Sequence, residues 1–310
     1  MHAYLSGRWL LGACGLLLLA ACSSDDDPER QVAFPATVSV LSFDSANFIP
    51  APSAFTSNSA FLQNGPRTVV RITGELSLPS SDAERLPAVI LMHGGSGIGA
   101  LNRQWVNDLN SIGLATFLVD SLAGRGLTGV SLMRALPRII DAYQALAVLA
   151  QHPRIDPSRI ALMGWSQGGF VSLYAGTERF QRLYKATTAT FAAYIPFYPI
   201  CNYALREDEA RDGRPIRIFH GTADNMTPIG PCRDVVARLR QGGQDITLRE
   251  FPGAAHAFDA SLTAFTLSMI PGLPTGYTFA SCALLELPNG VLANRETGQE
   301  FNRPGSLCPL

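Results

Sequence analysis

Ile160-Ala161-Leu162-Met163-Gly164-Trp165-Ser166-Gln167-Gly168-Gly169 is the stretch that decides the fold. A short apolar run of strand length (Arg159 to Met163) meets a G-x-S-x-G turn, and the pattern predicts a helix starting near Gln167. Glycines are needed beside such a serine because its backbone is strained and a Cβ on either neighbour would meet the flanking strand or helix. The return is a hydroxyl exposed at a helix N-terminus, where the dipole favours developing negative charge. By itself the pattern is weak in a chain with 28 glycines, and its place between strand and helix gives it weight.

The same alternation continues on both sides. Val69 to Leu78 alternates like a half-buried antiparallel strand. Ala88 to Met92 is a continuous apolar run ending in His93-Gly94-Gly95, and Ile112 to Val119 contains another that ends at Asp120. Ser131 to Gln151 has helical spacing. Phe191 to Phe197, Ile216 to Phe219 and Ile246 to Phe251 read as short strands, with a helix predicted over Pro231 to Gln241 between the last two. Continuous short strands separated by helices indicate a mostly parallel sheet covered on both faces, an α/β three-layer sandwich in one domain.

The chain has 310 residues, 47% hydrophobic and 16% charged, with 24 Lys+Arg against 25 Asp+Glu. This balance excludes the basic excess of a nucleic-acid binder and the charge density of a disordered chain. Residues 1–21 carry Arg8 and then an uncharged run, Trp9 to Ala21, too short for a membrane span. The boundary Leu19-Ala20-Ala21-Cys22, followed by Ser23-Ser24-Asp25, resembles a bacterial lipoprotein signal. That resemblance implies lipidation at Cys22, a membrane tie through that anchor, and an outer-membrane address. The alternative is an ordinary cleaved signal ending near Ala21. Residues 22–64 then read as a tether and lead-in, with room for an edge strand.

Export implies an oxidising compartment, in which Cys201, Cys232, Cys282 and Cys308 form an even set. Four cysteines allow three connectivities, and nearest-neighbour pairing, Cys201–Cys232 and Cys282–Cys308, is the expectation. No Cys or His spacing suits zinc, so no metal and no cofactor are expected.

A nucleophilic serine needs a base and a group to orient that base. His152 precedes Pro153 at a helix end, while His93 and His220 finish apolar strands and read as structural. His256 lies in a small-residue loop (Gly253-Ala254-Ala255-His256) past the last strand, where an imidazole can reach the crevice at the strand ends. Asp224, in His220-Gly221-Thr222-Ala223-Asp224, is the candidate acid. Asp120 competes but precedes the serine, and Asp259 reads as a cap for a following helix. The backbone N–H of Gln167 offers one oxyanion donor, and Gly95 or Ser96 the other; the sequence does not separate these two.

MHGGSG (from Met92), GWSQGG (from Gly164), HGTADNMTP (from His220) and GAAHAF (from Gly253) together resemble the dienelactone hydrolase-like branch of the α/β-hydrolases. Asp120-Ser121 with Arg125-Gly126 resembles a further loop of that branch. The likeness covers roughly residues 65–265 and implies an α/β-hydrolase fold over 65–270 with the triad order Ser166, Asp224, His256. Two departures stand out. The namesake enzyme uses a cysteine nucleophile where this chain has Ser166, and residues 271–310 are Pro/Gly-rich, with Asn289-Gly290 suggesting a hairpin. The short stretches Thr177 to Thr190 and Tyr198 to Pro215 leave no room for a large cap. Trp165, Phe197, Tyr198, Met226 and Phe258 are the candidate substrate-lining residues.

These readings imply an exported serine hydrolase of small-molecule carboxylic esters. The runners-up are a serine peptidase of prolyl-oligopeptidase type, which GWSxGG also resembles but whose gating propeller has no counterpart here, and a non-catalytic envelope lipoprotein.

Overall fold

A computed structural model describes residues 37–48, 54–127, 135–260 and 283–300. The leader, Cys22, Cys282 and Cys308 lie outside the described residues, and with them the expectations placed there.

Among the described residues the first element is a strand, β1 (Thr37–Phe48), followed by α1 (Ala54–Leu62), β2 (Arg67–Leu78), β3 (Leu86–Met92), α2 (Ala100–Ser111) and β4 (Ala115–Asp120). A single 3-10 turn over Ala123–Arg125 precedes α3 (Arg138–Ala150), β5 (Ile155–Trp165), α4 (Gln167–Tyr174) and α5 (Glu178–Tyr184). There follow β6 (Tyr194–Phe197), β7 (Tyr203–Ala204), β8 (Ile216–Gly221), α6 (Ile229–Gln241) and β9 (Ile246–Phe251), with β10 (Leu284–Glu286) and β11 (Leu292–Asn294) near the end.

Among the described residues eight strands form one sheet in the order β1-β2-β4-β3-β5-β6-β8-β9. β2 pairs antiparallel with β1 and β4, and the pairings from β4 through β9 are parallel. The edge strand is twelve residues long and is matched along its whole length, Thr37 opposite Leu78 to Phe48 opposite Arg67. Thr37 to Val40 are exposed on both faces, and burial of β1 begins further along, at Phe43.

The parallel strands are buried on both faces because helices cover both. Along β3 the side chains alternate: Ile90 and Met92 join the core with Phe117, Leu162 and α3, whereas Val89 and Leu91 join a second core with Leu109 of α2, Met163 and Trp165. This period-two division is what a strand imposes, and it explains why the run has no polar positions. α6 packs its Val235, Val236 and Leu239 into the first core. The segments between β5 and β8 hold the seven-residue α5 and the two-residue β7, so no cap domain is built there.

β10 and β11 form the hairpin expected around Asn289-Gly290, with Gly290 at a positive φ of 76° closing the turn. The hairpin pairs with β7, and a buried ion pair, Arg179 to Glu286 at 2.9 Å, ties it to α5. The expected Cys201–Cys232 disulfide is formed; it links the segment after β6 to α6, with Cα atoms 5.0 Å apart.

Candidate active site

β3 and β5 are neighbours, with Met92 opposite Gly164, so the loops after them emerge side by side. This is also where the strand order reverses, the position at which α/β sheets open a ligand crevice. The turn from β5 into α4 is tight. A Cβ on Gly164 would stand 2.2 Å from the carbonyl oxygen of Gly168, and one on Gly168 would stand 1.9 Å from that of Met92. Both glycines are therefore required by close backbone approach.

Ser166 sits at φ 54°, ψ −111°, a left-handed conformation that costs a non-glycine residue about 1–3 kcal/mol. Between Leu162 and Thr177 every other residue is buried, and Ser166 alone is not. The fold thus spends backbone strain to present this one side chain at the N-terminus of α4. Gln167, the first residue of that helix, lies under the loop His93–Gly97: its Nε2 is 3.1 Å from where a Gly95 Cβ would be. Gly95 is half-buried and Ser96 exposed at this rim.

Asp224 follows β8 and His256 follows β9. The Nδ1–H of His256 donates to Oδ2 of Asp224 at 2.8 Å, which leaves Nε2 as the basic nitrogen of the imidazole. Oδ1 of Asp224 accepts the backbone N–H groups of Met226 and Thr227, each at 2.9 Å, and Oδ2 also accepts the Thr227 hydroxyl at 2.9 Å. Burial raises the carboxyl's pKa, but the His256 hydrogen bond and charge and the Thr227 N–H outweigh it, so Asp224 is held below its ordinary value. It is a fixed anion. Thr227, whose hydroxyl lies 3.1 Å from Nδ1 of His256, is a supporting residue the sequence reading missed.

The other histidines have structural places. His93 is fully buried: Nε2 accepts the N–H of Ser121 at 3.2 Å, while Nδ1–H donates to the carbonyl of Gly94 at 2.6 Å. Burial pulls its pKa down to about 3, with the Arg138 charge adding to the fall. His220 is buried with Nδ1 donating to the Gly221 carbonyl, and His152 accepts the N–H of Arg154. Asp120 caps its own turn through the N–H groups of Leu122 and Ala123.

Two charged residues behind the site were not legible as such. Arg138, on α3, is buried and donates to the carbonyl of His93 at 2.6 Å and to Oε1 of Gln167 at 3.4 Å, bridging the two loops that flank Ser166. Burial lowers its pKa to about 10. Arg125 grips both oxygens of the buried Asp141 at 2.7 and 3.0 Å, so its charge is spent inside the protein.

The lining expectation needs correction. Trp165, Phe197 and Tyr198 are 1–5% exposed and belong to the second core, leaving little surface for a substrate. Met226 and Phe258 are half-buried and remain available. Aromatic residues at strand ends pack against α2 here because the sheet face beneath them is apolar. Asp259 accepts hydrogen bonds from Trp105, Trp165 and Tyr198, and the following helix it was expected to cap lies outside the described residues. Among the described residues no group of three or more His, Cys, Asp or Glu side chains is arranged to hold a metal ion.

Comparison with known proteins agrees with this architecture. A dienelactone hydrolase-like promiscuous phosphotriesterase from metagenomic libraries superposes with a TM-score of 0.52 at 16% identity, over 70% of this chain and 84% of that one. The esterase Est2 of Thermogutta terrifontis, solved with propionate bound, gives 0.50 at 24% identity, over 61% and 81%. In sequence, the chain is 25% identical to a probable 2-oxo-3-(5-oxofuran-2-ylidene)propanoate lactonase of Bradyrhizobium over 56% of its length and 74% of the relative's. It is likewise 25% identical to the uncharacterized peptidase YuxL of Bacillus subtilis, over 37% of its length, and spans only 21% of that protein. The fold is that of the α/β-hydrolases. The dienelactone hydrolase family profile matches residues 75–269, from β2 to beyond the His256 loop, and this chain belongs to that family.

Proposed function

We propose that this protein is an exported serine hydrolase that cleaves carboxylic esters through an acyl-enzyme, with Ser166 as nucleophile, His256 as base and Asp224 as its orienting acid. What carries the reading is the single unburied side chain at Ser166, strained at the head of α4, in a family of hydrolases. Nε2 of His256 takes the Ser166 proton as Oγ attacks the ester carbonyl, and the Asp224 carboxylate stabilises the resulting imidazolium. The N–H of Gln167 and that of Gly95 or Ser96 receive the oxyanion. The alcohol leaves with the proton from His256. Water, deprotonated by the same nitrogen, then releases the acid and restores the serine.

The substrate we infer is a small neutral ester. Arg125 is already paired with Asp141, and Met226 and Phe258 are the half-buried apolar groups near the rim. A peptide substrate is the second reading, favoured by the likeness to YuxL. Turnover of a graded series of nitrophenyl esters against peptide anilides separates the two. Preference for an anilide over every ester overturns the ester reading, and equal ester turnover by Ser166→Ala overturns the mechanism. Anchoring through a lipid at Cys22 is proposed with the same function; a Cys22→Ser variant still recovered with membranes would contradict it.

A further inference from the structure

Asp259 lies three residues beyond His256 and collects three neutral donors. The indole N–H groups of Trp105 and Trp165 reach Oδ2 at 2.8 and 2.9 Å, and the phenol of Tyr198 reaches Oδ1 at 2.9 Å. The donors come from three separate elements. Trp105 is on α2, Trp165 ends β5 immediately before Ser166, and Tyr198 follows β6. Around them the second core is aromatic: Trp105 and Phe197 meet at 5.2 Å, and Tyr198 and Phe258 at 5.7 Å. A half-buried carboxylate set among such rings gives up hydration that a surface site would keep, and no cation pairs with it among the described residues. Its three charge-assisted hydrogen bonds repay that by fixing direction.

The backbone is shaped to deliver it. Ala257 adopts a φ of 58°, uncommon for a residue with a Cβ, and the turn is closed by the N–H of Ala260 on the carbonyl of Ala257. That reversal lets His256 and Asp259 both enter the same cluster. Tyr198 then touches both: its hydroxyl binds Asp259, and its ring stands edge-on to the His256 imidazole at 4.6 Å. Burial and the adjacent Asp259 keep the phenol protonated, hence a donor.

We propose that Asp259 is a positioning residue, which locks the His256 loop to the Ser166 elbow through Trp165 and to the imidazole's flank through Tyr198. The proposal rests on the Ser166–His256 assignment above. An imidazole displaced by about 1 Å costs on the order of a hundredfold in rate, so the lock acts on turnover rather than on binding.

The test uses the full chain and two readouts. In hydrogen exchange, the amides of residues 253–260 should exchange at least tenfold faster in Asp259→Ala than in the parent; unchanged protection there overturns the lock even if no ester is ever turned over. In steady-state kinetics on a nitrophenyl ester, Asp259→Ala should lose 10- to 100-fold in kcat with KM within twofold. Asp259→Asn should recover most of the loss, since an amide oxygen still accepts both indoles. Should the alanine variant fail to fold, Tyr198→Phe removes one donor and keeps the ring, and a several-fold fall in kcat alone is expected. Parental kcat in Asp259→Ala or Tyr198→Phe, or a rise in KM with kcat intact in either, overturns the proposal. A parent enzyme inert to every ester and to a fluorophosphonate would instead remove the hydrolase reading, leaving the exchange result to judge the lock.

Discussion

His93 makes a prediction about stability that can be worked through from its environment. Nε2 accepts the N–H of Ser121 and Arg138 lies 3.3 Å from Nδ1, so a second ring proton would meet a donor on one side and a cation on the other. The native pKa is about 3 against an ordinary 6.5. Between those values the unfolded chain binds a proton that the native state refuses, so the stability held above pH 6.5 is lost as pH falls toward 3. Linkage with these two values gives an unfolding bias of about 0.2 kcal/mol at pH 7 and about 2 kcal/mol at pH 5. Urea unfolding of the parent and of His93→Gln at both pH values reads the difference. Gln has an acceptor for Ser121 N–H and cannot ionise. Its absolute stability should be lower throughout, but its loss between pH 7 and 5 should be smaller than the parent's by about 2 kcal/mol. Asp224, which also loses its stabilising contribution as pH falls through its lowered native pKa, acts equally in both chains and cancels. Parallel pH dependences in the two proteins would refute the reasoning.

Gly168→Ala should destabilise by at least about 3 kcal/mol and abolish turnover, because its Cβ would overlap the Met92 carbonyl that supports the His93–Gly97 loop. Gly230→Ala, with open space around it in α6, should be neutral or stabilising by about 0.5–1 kcal/mol; comparable losses at both positions in chemical denaturation would contradict the close-approach argument. Replacing Cys201 and Cys232 together by alanine opens a loop of sequence separation 31, worth about 3–4 kcal/mol in the chain-entropy account. Unfolding free energies equal to the parent's would show that the crosslink adds nothing.

The legible parts of this protein were those governed by local pattern. β3 and the Ile160–Trp165 half of β5 have no polar positions because both their faces are covered, and that shows directly as apolar runs ending in glycine turns. The elbow was legible for the same reason, since the steric demand at Gly164 and Gly168 is written into adjacent residues. Asp224 and His256 followed because each sits just beyond a strand. β1 was harder: Thr37–Phe48 is rich in serine and Thr37 to Val40 are exposed on both faces, so it resembles a lead-in until its pairing with β2 is seen. Arg138, Thr227 and Asp259 take their meaning from partners between 3 and 154 positions away. Nothing local distinguishes such residues from a surface charge or a cap. The aromatic residues were misjudged because a strand end can face either a crevice or a helix, and here α2 covers them.

The most direct test of the central claim is where, and with what help, a covalent bond forms. Treatment with a fluorophosphonate followed by peptide mass spectrometry should place one adduct on Ser166 in the parent, with labelling slowed at least a hundredfold in His256→Ala and absent in Ser166→Ala. An adduct on any other residue, or labelling of Ser166 at the parental rate without the imidazole, would contradict the account.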